Sequence, residues 1–304
     1  MNCFKIVTGI CLAAFCFASC KTAELASLPK SFPQFYKEGH RGSRGLMPEN
    51  TIPSMIKAIE VGANVIEVDI YTSKDGKVLV THDAFINRDF SLLPDGAEIP
   101  VFDAKKYLVH QMNYEDIRKF DVGLKFYQAF PKQAKIAAHI PLLGELIDSV
   151  ENYTTSHNLP STIYNIELKT AVNYDSVYNS KPKELVDAVL KVVKDKKIGK
   201  RFYIQSFDYR PLQYIHQEYP EVSIAFLTGN DQSFEKNIEA LGFKPQIYSP
   251  HYNLVSAQLV QKCKDMNIKI VPWTVNTVDE MRKMKTLGVD GIITDFPDYF
   301  REII

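Results

Sequence analysis

Short apolar runs alternate with amphipathic segments all the way from Ile163 to Thr294, and this restricts the fold more than any other feature. Runs rich in Val, Ile, Phe and Tyr at 163–168, 202–206, 222–226, 247–249, 269–273 and 291–294 read as strands. Between them, 183–194 places Leu185, Val186, Val189, Leu190 and Val193 on one helical side. A second helix is predicted over 256–266. A third, over 277–287, opens with Thr277 and Glu280 in capping-box spacing. Repeated strand–helix units imply parallel strands. Upstream, 35–39 reads as a strand ending at His40. A helix follows, with Ile52, Met55, Ile56 and Ile59 on one face and Gly62 to stop it, and then a strand at 65–70. Eight or nine strands from Phe35 onward predict a closed (β/α)8 barrel, and 304 residues suit one such domain.

Within this frame the stretch Ile66–Asp83 carries chemistry. Glu67 and Asp69 are two residues apart in a strand, so both point to one face. Asp75-Gly76 is a strong hairpin signal, and Val78, Leu79 and Val80 lead back to His82-Asp83. With Asp75 and Gly76 as the two central turn residues, opposing positions sum to 151 and His82 faces Asp69. A longer loop would shift that register by a residue or so. Two acids and an imidazole on one hairpin suit a metal beside an acid/base. The plain alternative is an exposed hairpin with a polar face. Residues 84–140 have no simple period and read as an insertion with some helix at Tyr114–Phe120, its aromatics forming a small core of its own or, as the alternative, a lipid-facing patch. Pro141 opens a helix to about Asn158.

At the N-terminus, Lys5 precedes an apolar run from Ile6 to Ala18, too short to span a bilayer and of the length of a signal-peptide core. The sequence Phe17-Ala18-Ser19-Cys20 resembles the lipobox of bacterial lipoproteins, with Phe17 where Leu is usual. That resemblance implies a signal peptide over 1–19, a lipidated Cys20 and a tether over 20–34 ahead of a domain at 35–304, the alternative being a plain secretory signal with no lipid. It also implies a membrane-anchored lipoprotein of the bacterial cell envelope, periplasmic or surface-exposed. Four of the five cysteines lie at or before Cys20, so the remaining one, Cys263, has no partner for an intrachain disulfide. It shares a helical face with Leu259 and Met266 and is predicted to be core. Formal net charge is zero, which suggests neither a nucleic-acid partner nor general attraction to anionic membranes.

Barrels of this kind place active sites at the C-terminal ends of their strands. The polar residues gather there: His40, Glu67 and Asp69, the alternating Asn165, Glu167 and Lys169, then Gln205-Ser206, His251, Trp273 and Asn276. The segments GHRGSRGLMPENT, EVDIYTSKDGKVLVTHD, IELK, QSF, WTVN and GVDGIITDFP resemble the glycerophosphodiester phosphodiesterase family, in the same order, over about residues 38 to 299. The resemblance implies a TIM barrel with an insertion after the hairpin. It implies metal-dependent hydrolysis of glycerophosphodiesters, small molecules, to glycerol 3-phosphate and an alcohol. It makes His40 and His82 the acid/base pair, Glu67, Asp69 and Glu167 the metal ligands, and Arg41 and Lys169 the phosphate contacts.

The chemistry wants the same set. A base must deprotonate the nucleophile and an acid must protonate the leaving alkoxide, and histidine titrates where both are possible. A hard cation, Arg and Lys stabilise phosphoryl oxygens. Three carboxylates without thiols favour Ca2+ or Mg2+ over zinc. Trp273 is read as a substrate wall, with plain barrel core as the alternative, and Glu49 and Asn50 either touch the site or brace the following helix. His251 is a rim contact or a surface residue. His110, His139, His157 and His216 belong to no constellation. Other function classes are a phospholipase D-like or lysophospholipid hydrolase on the same barrel, a glycosidase using a carboxylate pair, and a non-catalytic binding lipoprotein. Two histidines with Arg41 and Lys169 at the mouth fit an anionic substrate better than a glycoside.

Overall fold

The computed structural model describes residues 28–304. The predicted signal peptide and Cys20 lie outside the described residues. The chain order is β1 (Tyr36–Gly39), α1 (Ile52–Glu60), β2 (Val65–Thr72), β3 (Val78–Val80), α2 (Tyr114–Ile117), α3 (Leu143–Ser156), β4 (Ile163–Leu168) and α4 (Pro182–Asp195). Then come β5 (Phe202–Ser206), α5 (Tyr209–Glu218), β6 (Ser223–Thr228), α6 (Phe234–Leu241), β7 (Ile247–Pro250), α7 (Ala257–Asp265), β8 (Lys269–Ile270), α8 (Val278–Leu287) and β9 (Gly291–Thr294).

Eight strands pair in parallel in the order β8-β7-β6-β5-β4-β2-β1-β9. Backbone hydrogen bonds bring the two ends of that order together: Asp290 N to Ile270 O and Ile293 N to Pro272 O, each 2.9 Å. The result is a (β/α)8 TIM barrel. β3 stands outside it, antiparallel on β2.

The hairpin register differs from the expectation. Thr72 pairs with Val78 and Ile70 with Val80, so opposing positions sum to 150. Thr81, whose N–H donates to Asp69 O at 2.9 Å, faces Asp69, and His82 lies one residue further on. The cause is Ser73. Its Oγ bonds Asp75 Oδ1 at 2.6 Å and accepts from Lys77 N at 2.9 Å, closing a loop over 73–77 in place of a two-residue turn.

Three apolar clusters hold the fold. The largest lies between strands and helices. A second fills the N-terminal end of the barrel with Tyr36, Val65, Ile163, Tyr203 and Ile247, against which Leu28 and Phe32 pack. The third belongs to the segment between β3 and α3, where Ile86, Val109, Tyr114, Ile117 and Phe120 pack with Tyr71 and Leu79. The aromatic residues of this segment are thus divided: Tyr114 and Phe120 are buried, while Phe102 and Phe126 are exposed. Its expected helix shortens to the single turn of α2.

Candidate active site

At the C-terminal ends of the strands a cavity of about 250 Å³ is lined by His40, Arg41, Arg44, His82, Glu167 and Lys169 on its polar side. Gln205, Phe207, Leu227, Trp273, Thr274 and Ile293 complete it. The loop after β1 turns sharply to present two of these groups. Gly42 sits at φ +85°, and a Cβ there would stand 2.5 Å from Ser54 Oγ, so only glycine fits. Ser54 Oγ donates to Arg41 O at 2.9 Å and accepts from Ser43 N at 2.8 Å, tying the loop to α1.

The acids come from two neighbouring strands. Asp69 on β2 pairs in register with Glu167 on β4, and Glu67 lies one inward step below. Ligand atoms of Glu67, Asp69 and Glu167 all lie within 4.8 Å of one another, and all three side chains are buried. Burial raises the Glu67 carboxyl well above its usual range, and the Asp69 and Glu167 charges push it further. Asp69, against the cost of burial, is held low by Lys169, His82 and Arg41. Of this coupled pair Asp69 is the ionised member, because the cations stand beside it. Lys169 Nζ is 2.8 Å from Glu167 Oε1 and 3.5 Å from Asp69 Oδ1, and Arg41 Nε is 3.3 Å from Asp69 Oδ2. Asp69 Oδ1 is buried and has no hydrogen bond among the described residues. Three clustered carboxylates, one with an orphaned oxygen, are the donor set a hard divalent cation takes.

Each histidine is backed by a carboxylate. His40 Nδ1 lies 2.7 Å from Asp295 Oδ1, and Asn276 Nδ2 donates to Asp295 Oδ2 at 2.7 Å. His82 Nδ1 lies 3.0 Å from Asp83 Oδ1, and Asn87 Nδ2 donates to Asp83 Oδ2 at 2.7 Å. Both rings therefore keep Nε2 for the cavity. Burial pulls His40 below the usual histidine range; the Asp295 charge opposes this, and Arg41 and Arg44 add to it.

Glu49 and Asn50 brace the site. Glu49 takes Arg41 Nη1 at 2.7 Å and Arg44 Nε at 2.6 Å, and Asn50 Nδ2 donates to Asp69 Oδ2 at 2.8 Å. The cap of α1 is Thr51 instead. Arg44 also packs on Phe130, 4.7 Å from the ring centre, which ties the inserted segment to the mouth. Trp273 lines the cavity, donates from Nε1 to Ser249 O at 2.9 Å and meets Phe207 edge-on. His251 caps the turn at 252–254 and packs on Trp273. His110, His139, His157 and His216 are engaged in local contacts.

Asp295, Asn87 and Arg44 have no part in the sequence reading, which holds Asn276 only as a polar strand-end residue and leaves Glu49 between touching the site and bracing the following helix. Asp295 stood in the ITDFP segment, and its neighbour on the adjacent strand end is His40.

Residues 40–299 match the Glycerophosphoryl diester phosphodiesterase family. The chain belongs to this family. A glycerophosphodiester phosphodiesterase of Bacillus altitudinis is 31% identical over 263 residues, covering 85% of this chain and 94% of that protein. A structure from Silicibacter pomeroyi assigned to the glycerophosphoryl diester phosphodiesterases superposes with a TM-score of 0.78 at 29% identity, over 90% of this chain and 94% of that one. An Oleispira antarctica phosphodiesterase, solved in complex with the product sn-glycerol-3-phosphate, has the same fold at 23% identity, with a TM-score of 0.69 and coverage of 89% and 96%. The chain is accordingly an enzyme, a phosphoric diester hydrolase acting on glycerophosphodiesters.

Proposed function

We propose that this site hydrolyses glycerophosphodiesters to glycerol 3-phosphate and an alcohol by histidine acid/base catalysis, with a divalent cation, Ca2+ or Mg2+, held by Glu67, Asp69 and Glu167. What carries the reading is two imidazoles, each backed by an aspartate through Nδ1, on the cavity that also holds the acidic cluster. The cation would supply charge stabilisation to the phosphoryl oxygens. Arg41 and Lys169, already ordered on Glu49 and Glu167, add their charges where the phosphate sits. His40, kept neutral by burial, is the base, accepting at Nε2 the proton of the attacking oxygen, that of a water or of the glycerol 2-hydroxyl by way of a cyclic phosphate, while Asp295 steadies the imidazolium that forms. His82, less buried and hydrogen-bonded to Asp83, is the acid that protonates the leaving alkoxide. Trp273 and Phe207 form the apolar wall for the glycerol or head-group carbons.

The test is release of glycerol 3-phosphate from glycerophosphocholine and glycerophosphoethanolamine, with EDTA and add-back of Ca2+ or Mg2+. Turnover unaffected by EDTA would refute the metal assignment. The half-exposed Phe207 at the mouth favours one second reading, hydrolysis of lysophospholipids, which lysophosphatidylcholine in the same assay decides.

The N-terminal segment is read as a signal peptide over 1–19 and a lipid-bearing Cys20 on a tether from residue 20, whose stretch up to 34 includes Leu28 and Phe32, packed on the barrel. One acyl chain holds a protein marginally, so stable anchoring implies several on Cys20. Cys20→Ser should move the protein out of the membrane fraction. Unchanged fractionation would remove lipidation as the anchor.

A further inference from the structure

The end of the barrel opposite the catalytic mouth carries a groove of about 610 Å³. Its floor is apolar: Leu190 and Val193 of α4, Phe202 at the start of β5, and Tyr219 and Val222 ahead of β6. Its rim is Lys194, Lys197 and Lys200, and Glu221 is the one acid among its lining residues. Other cations nearby are neutralised: Lys191 by Asp195 at 2.6 Å, Arg201 by Glu151 at 2.5 Å, and Lys196 by Asp148. The three rim lysines are exposed, and their ammonium groups make no ion pair or hydrogen bond among the described residues. The zero net charge of the whole chain conceals this local excess.

We propose that this groove binds an acidic phospholipid, its phosphate at the three lysines and its apolar part on the Val193–Phe202–Val222 floor. Cations on an apolar floor complement an anionic amphiphile, and lysines near an anionic bilayer each add to attraction that salt screens. The chain itself argues for a membrane as the source of that lipid. Leu28 and Phe32 pack into this same end of the barrel, beside Tyr36 and Tyr203. Cys20 lies eight residues before Leu28, a span of at most about 28 Å when fully extended. The orientation rests on the Cys20 reading, whereas the affinity of the groove does not. An anchor on Cys20 would hold this end against the bilayer and turn the mouth toward water. Its substrates would then arrive from solution, as deacylated glycerophosphodiesters do.

The experiment uses a chain beginning at Lys21, which keeps every described residue and lacks the anchor. It is sedimented with vesicles of phosphatidylcholine alone or with about a third phosphatidylglycerol. Binding to the acidic vesicles should exceed binding to the neutral ones by about 10- to 100-fold, from about a fivefold or smaller factor for each of the three lysines, and should fall away in 0.5 M NaCl. Lys194→Glu/Lys197→Glu/Lys200→Glu should bring it to the neutral level, and the Gln triple variant most of the way, with glycerol 3-phosphate release unchanged in both. Equal binding to the two vesicles overturns the proposal. So does acidic-vesicle binding that survives the triple variants; its loss in Phe102→Ser/Phe126→Ser would then put the lipid on the inserted segment instead. Sedimentation does not read turnover, and fractionation of the full chain tests Cys20 separately, so each reading fails on its own measurement.

Discussion

Replacing Asp295 by Asn tests the acid/base reading at its most constrained point. Asp295 accepts two hydrogen bonds, from His40 Nδ1 at 2.7 Å and from Asn276 Nδ2 at 2.7 Å. An asparagine offers one oxygen and one NH2, so it cannot accept both. Asn276 cannot turn over to help, because its Oδ1 already accepts from Asp295 N at 2.9 Å and from Thr294 Oγ1 at 3.3 Å. The new side chain must therefore give its oxygen to Asn276 and its NH2 to His40. That donor fixes the lone pair of His40 on Nδ1 and the proton on Nε2, the tautomer that cannot act as a base toward the cavity. The loss should approach the whole contribution of a general base, about 10²–10⁴ in kcat, or about 3–5 kcal/mol in the barrier. The pH profile adds a signed check. The Asp295 charge raises His40, so its removal lowers the imidazole further, and the acid limb of kcat/KM should move to lower pH. Steady-state kinetics on glycerophosphocholine between pH 4 and 9 measure both effects. Activity within tenfold of the parent at every pH, or a limb that moves upward, would refute the reasoning.

Glu67→Gln should abolish turnover with only partial rescue by excess Ca2+ or Mg2+, and wild-type rates in that variant would count against its role as a ligand. His82→Ala should regain part of its lost kcat on a substrate releasing p-nitrophenolate, which leaves without a proton, whereas His40→Ala should not; equal responses would sink the division of roles. Glu38, buried and pushed up from an ordinary 4.5 to about 7, keeps a proton in the native state that the unfolded chain releases. Stability from that group is complete below about pH 4.5 and is lost as pH rises through about 7, by about 3 kcal/mol in all. In urea titrations the wild type should lose that amount relative to Glu38→Gln between pH 4.5 and 8, and a constant difference would reject it.

The strands at 163–168, 202–206 and 291–294 were legible to the residue, because each is a short run rich in Ile, Phe and Tyr set apart from the helical segments beside it. The carboxylates on β2 and β4 were legible from two-residue periodicity. The hairpin register was not. It depends on one hydroxyl, that of Ser73, closing a loop that Asp75-Gly76 alone would make shorter. Asp295 was missed for a different reason. It is 255 positions from His40, and the two meet only because β9 pairs with β1, Thr294 opposite Gly39. Closure of the barrel supplies that contact, and no local pattern encodes it. With closure assumed, the residue after the last strand and the residue after the first become neighbours, and His40 and Asp295 follow at once.

The same two-residue step explains how so many charges are tolerated inside one barrel. At the N-terminal end the interior is hydrocarbon and aromatic, sealed by Leu28 and Phe32. One step up, Glu38 accepts from Asn165 Nδ2 at 3.0 Å and from the Tyr203 hydroxyl, and burial favours its neutral form. Glu67 and Gln205 come next, 3.4 Å apart, and above them Asp69 and Glu167 meet Lys169 and Arg41. Neutral polar groups thus separate the apolar plug from the ionised layer, so no bare carboxylate faces hydrocarbon. Position in this series also orders the acids: Glu67, below the cations, is raised, and Asp69, beside them, is lowered.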